Sequence, residues 1–187
     1  MGRPSSFADE AVYAAVARSL VEAGEVRLQA VTKAASLSTG SLYHRFGSRE
    51  GLMAEAWIDA VEAFQVKFLA ALAMPSDVPG LPAALATPRF CRNAPDRAAL
   101  LVSAREREMM SDKAPDALHA RLAAANGKAR NALSGFAKAQ GLPLERVRLA
   151  LIGLPLGAVR LYLPKAPLPE LIEQDIAKAA SALLKQA

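Results

Sequence analysis

Apolar residues along this chain recur at three- and four-residue intervals, and no segment alternates over a strand's length. Between Phe7 and Ala23, the positions Ala8, Val12, Val16 and Leu20 fall four apart and share one helical face. Gly24 is placed to end that helix. A short second helix fits Leu28 to Ala35, with Leu28, Val31 and Ala35 facing inward. Ser36-Leu37-Ser38 then reads as a turn. Ser38 can cap a third helix, Thr39 to Phe46, with Leu42 and Phe46 buried. Gly47-Ser48 breaks it, and Ser48 caps a long fourth helix from Arg49 to Ala73, striped by Trp57, Val61, Phe64, Phe68 and Leu72. After a loop from Met74 to Gly80, helices are expected near 81–93, 96–111, 115–140, 144–163 and 168–185. Pro95, Pro115, Gly141-Leu142-Pro143 and Pro164 to Pro169 punctuate them. The fold class is all-α. A three-helix unit (1–50) is expected to join, through the long helix, a C-terminal helical bundle (51–187).

Composition narrows the function. The 187 residues are 52% hydrophobic, enough for a sizeable core, and rich in Ala and Leu, which favour helix. The net charge of +5 permits an anionic partner without demanding one. A single cysteine, Cys91, rules out an internal disulfide and suits a reducing compartment. The start lacks the apolar core of a signal peptide. The strongly apolar stretch Leu149 to Val159 is too short to span a bilayer. A cytoplasmic protein without membrane partners is the expectation. Two histidines and one cysteine form no nucleophile constellation. No glycine-rich phosphate loop or metal-spaced cluster is present, so neither an enzyme nor a metal or cofactor site is expected.

Two short helices joined by a three-residue turn describe a helix-turn-helix, whose second helix enters the DNA major groove. Such a unit needs a small core to fix the helix angle, which Leu28, Val31, Ala35, Leu37, Leu42 and Phe46 supply. It also needs an outward face with hydrogen-bonding groups and little bulk, and Thr39, Gly40, Ser41, Tyr43 and His44 fit. Gly40 would let the backbone approach DNA closely. Finally it needs cations at its edges, because phosphate contacts dominate affinity. Met1 to Ala56 holds six basic and six acidic residues, yet Arg27 to Arg49 holds four basic ones (Arg27, Lys33, Arg45, Arg49) and no acid. With Gln29 and Ser38 flanking, the candidate DNA-contacting set is Arg27, Gln29, Lys33, Ser38, Thr39, Gly40, Ser41, Tyr43, His44, Arg45 and Arg49.

At these residues the segment from Val31 to Leu52 resembles the signature of the TetR family of bacterial regulators. Gly40-Ser41-Leu42-Tyr43-His44, then Phe46, then Ser48-Arg49-Glu50 carry the resemblance, with Val12, Ala15, Val16, Leu20 and Gly24 of the first helix in register. It covers roughly residues 7–57; the remainder is similar only in helical pattern and length. The resemblance implies that Tyr43 and His44 contact phosphates or base edges. It also implies that Thr39, Gly40 and Ser41 face the groove and that Arg49 binds phosphate. Two positions depart from the pattern. Ser36 stands where glycine is usual, at a small strain penalty. Arg27 replaces the usual Thr or Ser before the second helix, which loses a cap contact that the arginine's charge can offset.

The resemblance implies a homodimeric repressor of a near-palindromic operator, released by a small, largely hydrophobic effector. An activator of the same fold, and a helical small-molecule-binding or protein-binding module without DNA binding, are the alternatives. The expected effector pocket is Trp57, Val61, Phe64, Phe68, Leu101, Met109 and Phe136, residues whose helical spacing reads first of all as core. Met110, Phe90 and Tyr162 carry the same ambiguity. The helix holding Gly153, Pro155 and Gly157 is apolar nearly all round, so it must be covered on several sides. Leu151, Leu154, Ala158 and Leu161, with Ile172, Ile176, Ala180 and Leu183, are the expected dimer stripes. Cys91 reads as a buried small residue, with a redox sensor as the alternative given Arg89 and Arg92 nearby. His119 reads as a surface residue, Arg105-Glu106-Arg107-Glu108 as a solvated face, and Gly2-Arg3-Pro4 as a disordered start or a minor-groove arm.

Overall fold

A computed structural model describes residues 7–185, with Phe7 and Ala8 described by backbone alone. The Gly2-Arg3-Pro4 arm and the inward place of Ala8 lie outside the described residues. The elements are α1 (Phe7–Ala23), α2 (Leu28–Ala35), α3 (Thr39–Phe46), α4 (Arg49–Leu72), α5 (Leu81–Ala84), α6 (Ala86–Asn93), α7 (Pro95–Ser103), α8 (Glu106–Met109), α9 (Asp116–Ala139), α10 (Leu144–Arg148), a π turn (Leu149–Gly153), α11 (Leu154–Arg160) and α12 (Ile172–Leu184). There is no strand among the described residues.

Two compact units result, and they do not follow chain order. The first comprises residues 1–62 with 94–124, the second 63–93 with 125–187. Compactness thus divides the chain differently from the boundary expected at residue 50, since α7, α8 and the start of α9 share a unit with the helix-turn-helix.

In the first unit α1 packs against both α2 and α7. Val12 and Val16 of α1, Val31 of α2 and Ile58 of α4 are 0% exposed, and Leu42, Leu52, Trp57, Leu100 and Met109 join them in one core. Each large side chain so buried contributes about 1.5–3 kcal/mol. Two arginines stitch helices around it. The Arg97 Nε–H donates to Asp59 Oδ2 at 2.7 Å and an Nη of the same guanidinium to Glu10 Oε1 at 3.3 Å. Arg121 donates to Glu62 Oε1 at 2.9 Å and to Glu55 Oε2 at 2.8 Å. These hydrogen bonds hold both guanidiniums even more firmly protonated than a free arginine.

The second unit is built on Phe68, Leu133, Val147, Leu151, Val159, Ile172, Ile176 and Ala180. Gly80 has φ +85° and sits so close to Phe136 that a Cβ would lie 2.8 Å from its ring. Only glycine satisfies both demands.

Three boundaries differ from those expected. The helix expected at 96–111 is broken at Ala104 and Arg105, both extended, where the Arg105 N–H is taken by Glu108 Oε2 at 2.9 Å to start α8. The helix expected from 168 begins at Ile172, because Pro167 and Pro169 offer no N–H and push the residues before them toward extended backbone. There Arg89 reaches Glu173 at 2.9 Å and Arg92 donates to the Pro169 carbonyl at 2.6 Å. Within 144–163 the turn before Pro155 widens, the Leu154 N–H bonding Leu149 O five residues back. A widened turn accommodates a ring that cannot donate and would crowd the preceding carbonyls.

Candidate nucleic-acid interface

The helix-turn-helix is fixed at both joints by local hydrogen bonds. At the first, Gly24 takes φ 72° and closes α1 with its N–H on Leu20 O at 2.8 Å. The buried Ser19 hydroxyl then donates to Glu25 O at 3.1 Å and accepts the Arg27 N–H at 2.8 Å. That pins the chain entering α2. Arg27 is extended at the N-cap and gives α2 no side-chain cap; its guanidinium pairs with Glu25 at 2.9 Å on the open surface, a weak contact.

At the second joint Ser36 has φ 54°, the left-handed conformation glycine favours. It terminates α2 with its N–H toward Lys33 O, while Leu37 N–H reaches Thr32 O at 3.0 Å. Ser38 caps α3: its Oγ accepts the Ser41 N–H at 3.0 Å and lies 2.9 Å from the Ser41 hydroxyl. Leu42 is 3% exposed and anchors α3 from behind. Phe46 closes its far end against Tyr13 of α1, ring centroids 6.1 Å apart. Burial, then Glu55, Asp9 and Asp59, push the Tyr13 hydroxyl well above its ordinary value, so it stays neutral at any physiological pH.

This leaves Thr39, Gly40, Ser41, Tyr43 and His44 exposed on α3, with Tyr43 45% accessible. Ser38, Gly40, Ser41, His44 and Arg45 line an open recess there. Gln29 and Lys33 are exposed on the neighbouring α2. Arg49 is half-buried at the N-terminus of α4, where Ser48 Oγ accepts the Gly51 N–H at 2.9 Å. An Nη of Arg49 donates to Val26 O at 3.1 Å, orienting the guanidinium. A cation beside a helix N-terminus suits a phosphate oxygen.

Arg45 has a different place from the one expected. It forms an ion pair with Asp9, whose side chain is only 8% exposed. It ties α3 to α1 and neutralises a buried carboxylate, besides lining the recess. The partner lies on another helix, so no local pattern could reveal it. Arg97 and Arg121 were missed for the same reason, whereas the partners of Ser19, Glu25 and Arg27, lie close by in the adjoining turn.

The seven expected effector residues fall into two cores. Trp57, Val61, Leu101 and Met109 belong to that of the first unit, Phe64, Phe68 and Phe136 to that of the second. Of the expected dimer stripes, Leu151, Ile172, Ile176 and Ala180 are buried within the second unit itself, Leu154, Ala158 and Leu183 are half-buried, and Leu161 is 80% exposed. Exposed apolar side chains in that unit also include Leu149 and Leu171. His119, expected on the surface, is half-buried with Nε2 3.1 Å from Ser111 O. Cys91 is half-buried, and burial pushes its thiol up to about 11.

Residues 15–56 match the family model for bacterial regulatory proteins of the tetR family. No curated protein matches the chain in sequence. Among solved structures, the TetR family transcriptional regulator PfmR from Thermus thermophilus is similar over 92% of this chain and 96% of its own, with TM-score 0.69 and 18% identity. A protein described as a tetR family transcription regulator from Shewanella sp. PV-4 is similar over 96% of both chains, with TM-score 0.67 and 18% identity. Residues 15–56 are thus similar to the tetR-family segment, and the chain as a whole shares the fold of these two solved structures.

Proposed function

We propose that this protein is a DNA-binding transcription regulator that represses as a homodimer and is released by a small, largely apolar effector. The observation that carries DNA binding is the α3 face. Thr39, Gly40, Ser41, Tyr43 and His44 are exposed together, while Leu42 and the Ser38 cap hold the helix rigid beneath them. A rigid helix with short polar side chains is what a major groove admits. Lys33 and Arg49 form no ion pair with a carboxylate among the described residues, so their charge is available to phosphates.

Dimerisation is supported by Leu149, Leu161 and Leu171, which are large, apolar and exposed, and by Gly153 and Gly157, which leave the same helical stretch open to close approach. Two subunits related by a two-fold axis place their α3 helices in grooves about one turn, roughly 34–36 Å, apart, and the operator is then a near-palindrome. An effector releases the DNA only by preferring the conformation that does not bind it; operator DNA then weakens the effector by the same factor.

The test is a gel shift with the intergenic DNA beside the protein's gene, wild type against Tyr43→Ala/Arg49→Ala. The double variant is expected to lose at least about 30-fold in affinity. Its log–log salt slope is expected to fall by about one for each phosphate contact removed. Unchanged binding overturns the docking reading.

A further inference from the structure

Arg45 of α3 is paired through its Nε with Asp9 of α1, and their side chains are 25% and 8% exposed. The next residue, Phe46, meets Tyr13, which lies four residues on from Asp9 and so on the same face of α1. Two consecutive residues of α3 thus grip two successive turns of one helix. On the other side Arg45 lines the open recess with Ser38, Gly40, Ser41 and His44. One side chain therefore connects the exposed face of α3 to the unit's interior.

A pair of this kind is a poor source of stability. Desolvating the carboxylate offsets much of what the attraction returns, and apolar side chains of similar size commonly serve as well. What apolar contacts do not supply is direction. Leu42 and Phe46 hold α3 down, but burial is non-directional and sets the roll of a helix about its own axis only loosely. A guanidinium–carboxylate contact adds geometric specificity. Side chains that must meet base edges tolerate only about 10–20° of misorientation. Bulk electrostatics alone would also keep a carboxylate away from a surface that meets phosphates. We propose that Asp9 is a positioning residue for DNA recognition: by holding Arg45 it fixes the roll of α3, and Arg45 serves the operator through that orientation rather than as a phosphate contact. The proposal rests on the reading of α3 as the DNA-contacting helix and names what orients it.

The decisive variant is Asp9→Asn/Arg45→Gln. It removes one charge of each sign, so the net charge stays at +5 and neither partner is left charged alone. The full-length protein is titrated by gel shift on the intergenic duplex beside its gene and on a random duplex of equal length, over a series of salt concentrations. Lost orientation is expected to weaken the intergenic duplex about tenfold, to leave the random duplex within about twofold, and to leave the salt slope on the random duplex unchanged. Asp9→Asn alone is expected to weaken the intergenic duplex too, although it removes a negative charge. The comparison is Asp59→Asn/Arg97→Gln, which breaks an ion pair joining α4 to α7. It is expected to lower Tm and to leave the ratio of the two affinities unchanged. Equal weakening of both duplexes, with a salt slope lower by about one, makes Arg45 a phosphate contact and overturns the proposal. An unchanged ratio in the Asp9/Arg45 double variant, tighter operator binding by Asp9→Asn, or an equal loss of the ratio in the Asp59/Arg97 variant each does the same. If Asp9→Asn does not fold, the charge-neutral double variant decides alone. A double variant without the wild-type helical circular dichroism also overturns the proposal, since the pair then serves the fold itself. Wild type that binds both duplexes alike sinks the regulator reading and this inference with it, whereas wild type that distinguishes them beside an indifferent double variant sinks this inference alone.

Discussion

Ser36 shows at the scale of one residue how a departure from a family pattern becomes a measurable quantity. Its φ of 54° is the only positive value at a non-glycine residue among the described ones. A β-carbon in that conformation is strained, and glycine removes the strain at some cost in unfolded-chain entropy. Ser36→Gly is expected to stabilise the protein by about 0.5–1 kcal/mol, raising Tm by roughly 1–4 °C in calorimetry; a lower Tm refutes the strain argument. Cys91 makes the opposite kind of case, a residue whose reactivity its surroundings suppress. Burial raises its thiol to about 11, so the neutral form persists as pH rises and the reactive thiolate appears only near that value. Alkylation by iodoacetamide should therefore stay slow at pH 9, where about 1% is thiolate, and reach half its limiting rate near pH 11. A half-maximum near pH 8 would restore the redox-sensor reading.

At the scale of elements, the short helices α2 and α3 cannot stand alone. Eight residues are too few for an isolated helix in water, so caps and packing decide their existence. The Ser38–Ser41 pair is the cap of α3. Ser38→Ala should cost about 1 kcal/mol of stability. It should also weaken operator binding more than it weakens folding, because the loosened first turn carries Thr39, Gly40 and Ser41. Calorimetry beside the gel shift checks this; undiminished operator affinity would show that DNA itself orders the turn. The helix running from Leu144 to Arg160 illustrates a different control. Its apolar pattern continues through Pro155, and the π turn lets it do so without a break.

At the scale of the whole molecule, the question is which apolar side chains serve the chain's own core and which remain for a second copy. Leu151 is 0% exposed and Leu161 80% exposed, although both fit one helical stripe in the sequence. In the proposed dimer Leu161→Glu should yield a folded monomer, whereas Leu151→Glu should lose the fold, since a buried unpaired charge costs several kcal/mol. Sedimentation with circular dichroism separates the two. A Leu161→Glu variant that stays dimeric removes this face from the interface.

The sequence by itself determined the helices of the DNA-binding segment. The spans Phe7–Ala23, Leu28–Ala35 and Thr39–Phe46 follow from four-residue apolar spacing, Gly24, and the turn and cap chemistry of Ser36 to Ser38, all of which act within a few residues. The exposed face of α3 follows from the same periodicity. What only the tertiary structure decided are the partnerships between distant helices. Arg45 reads as one more cation beside a groove until α1 brings Asp9 against it. Trp57 and Phe64 read as one stripe until they are assigned to different cores. Leu151 and Leu161 read as equals until burial separates them. Helical periodicity states which side of a helix is apolar, but it cannot state what covers that side, because that depends on residues far away in the chain.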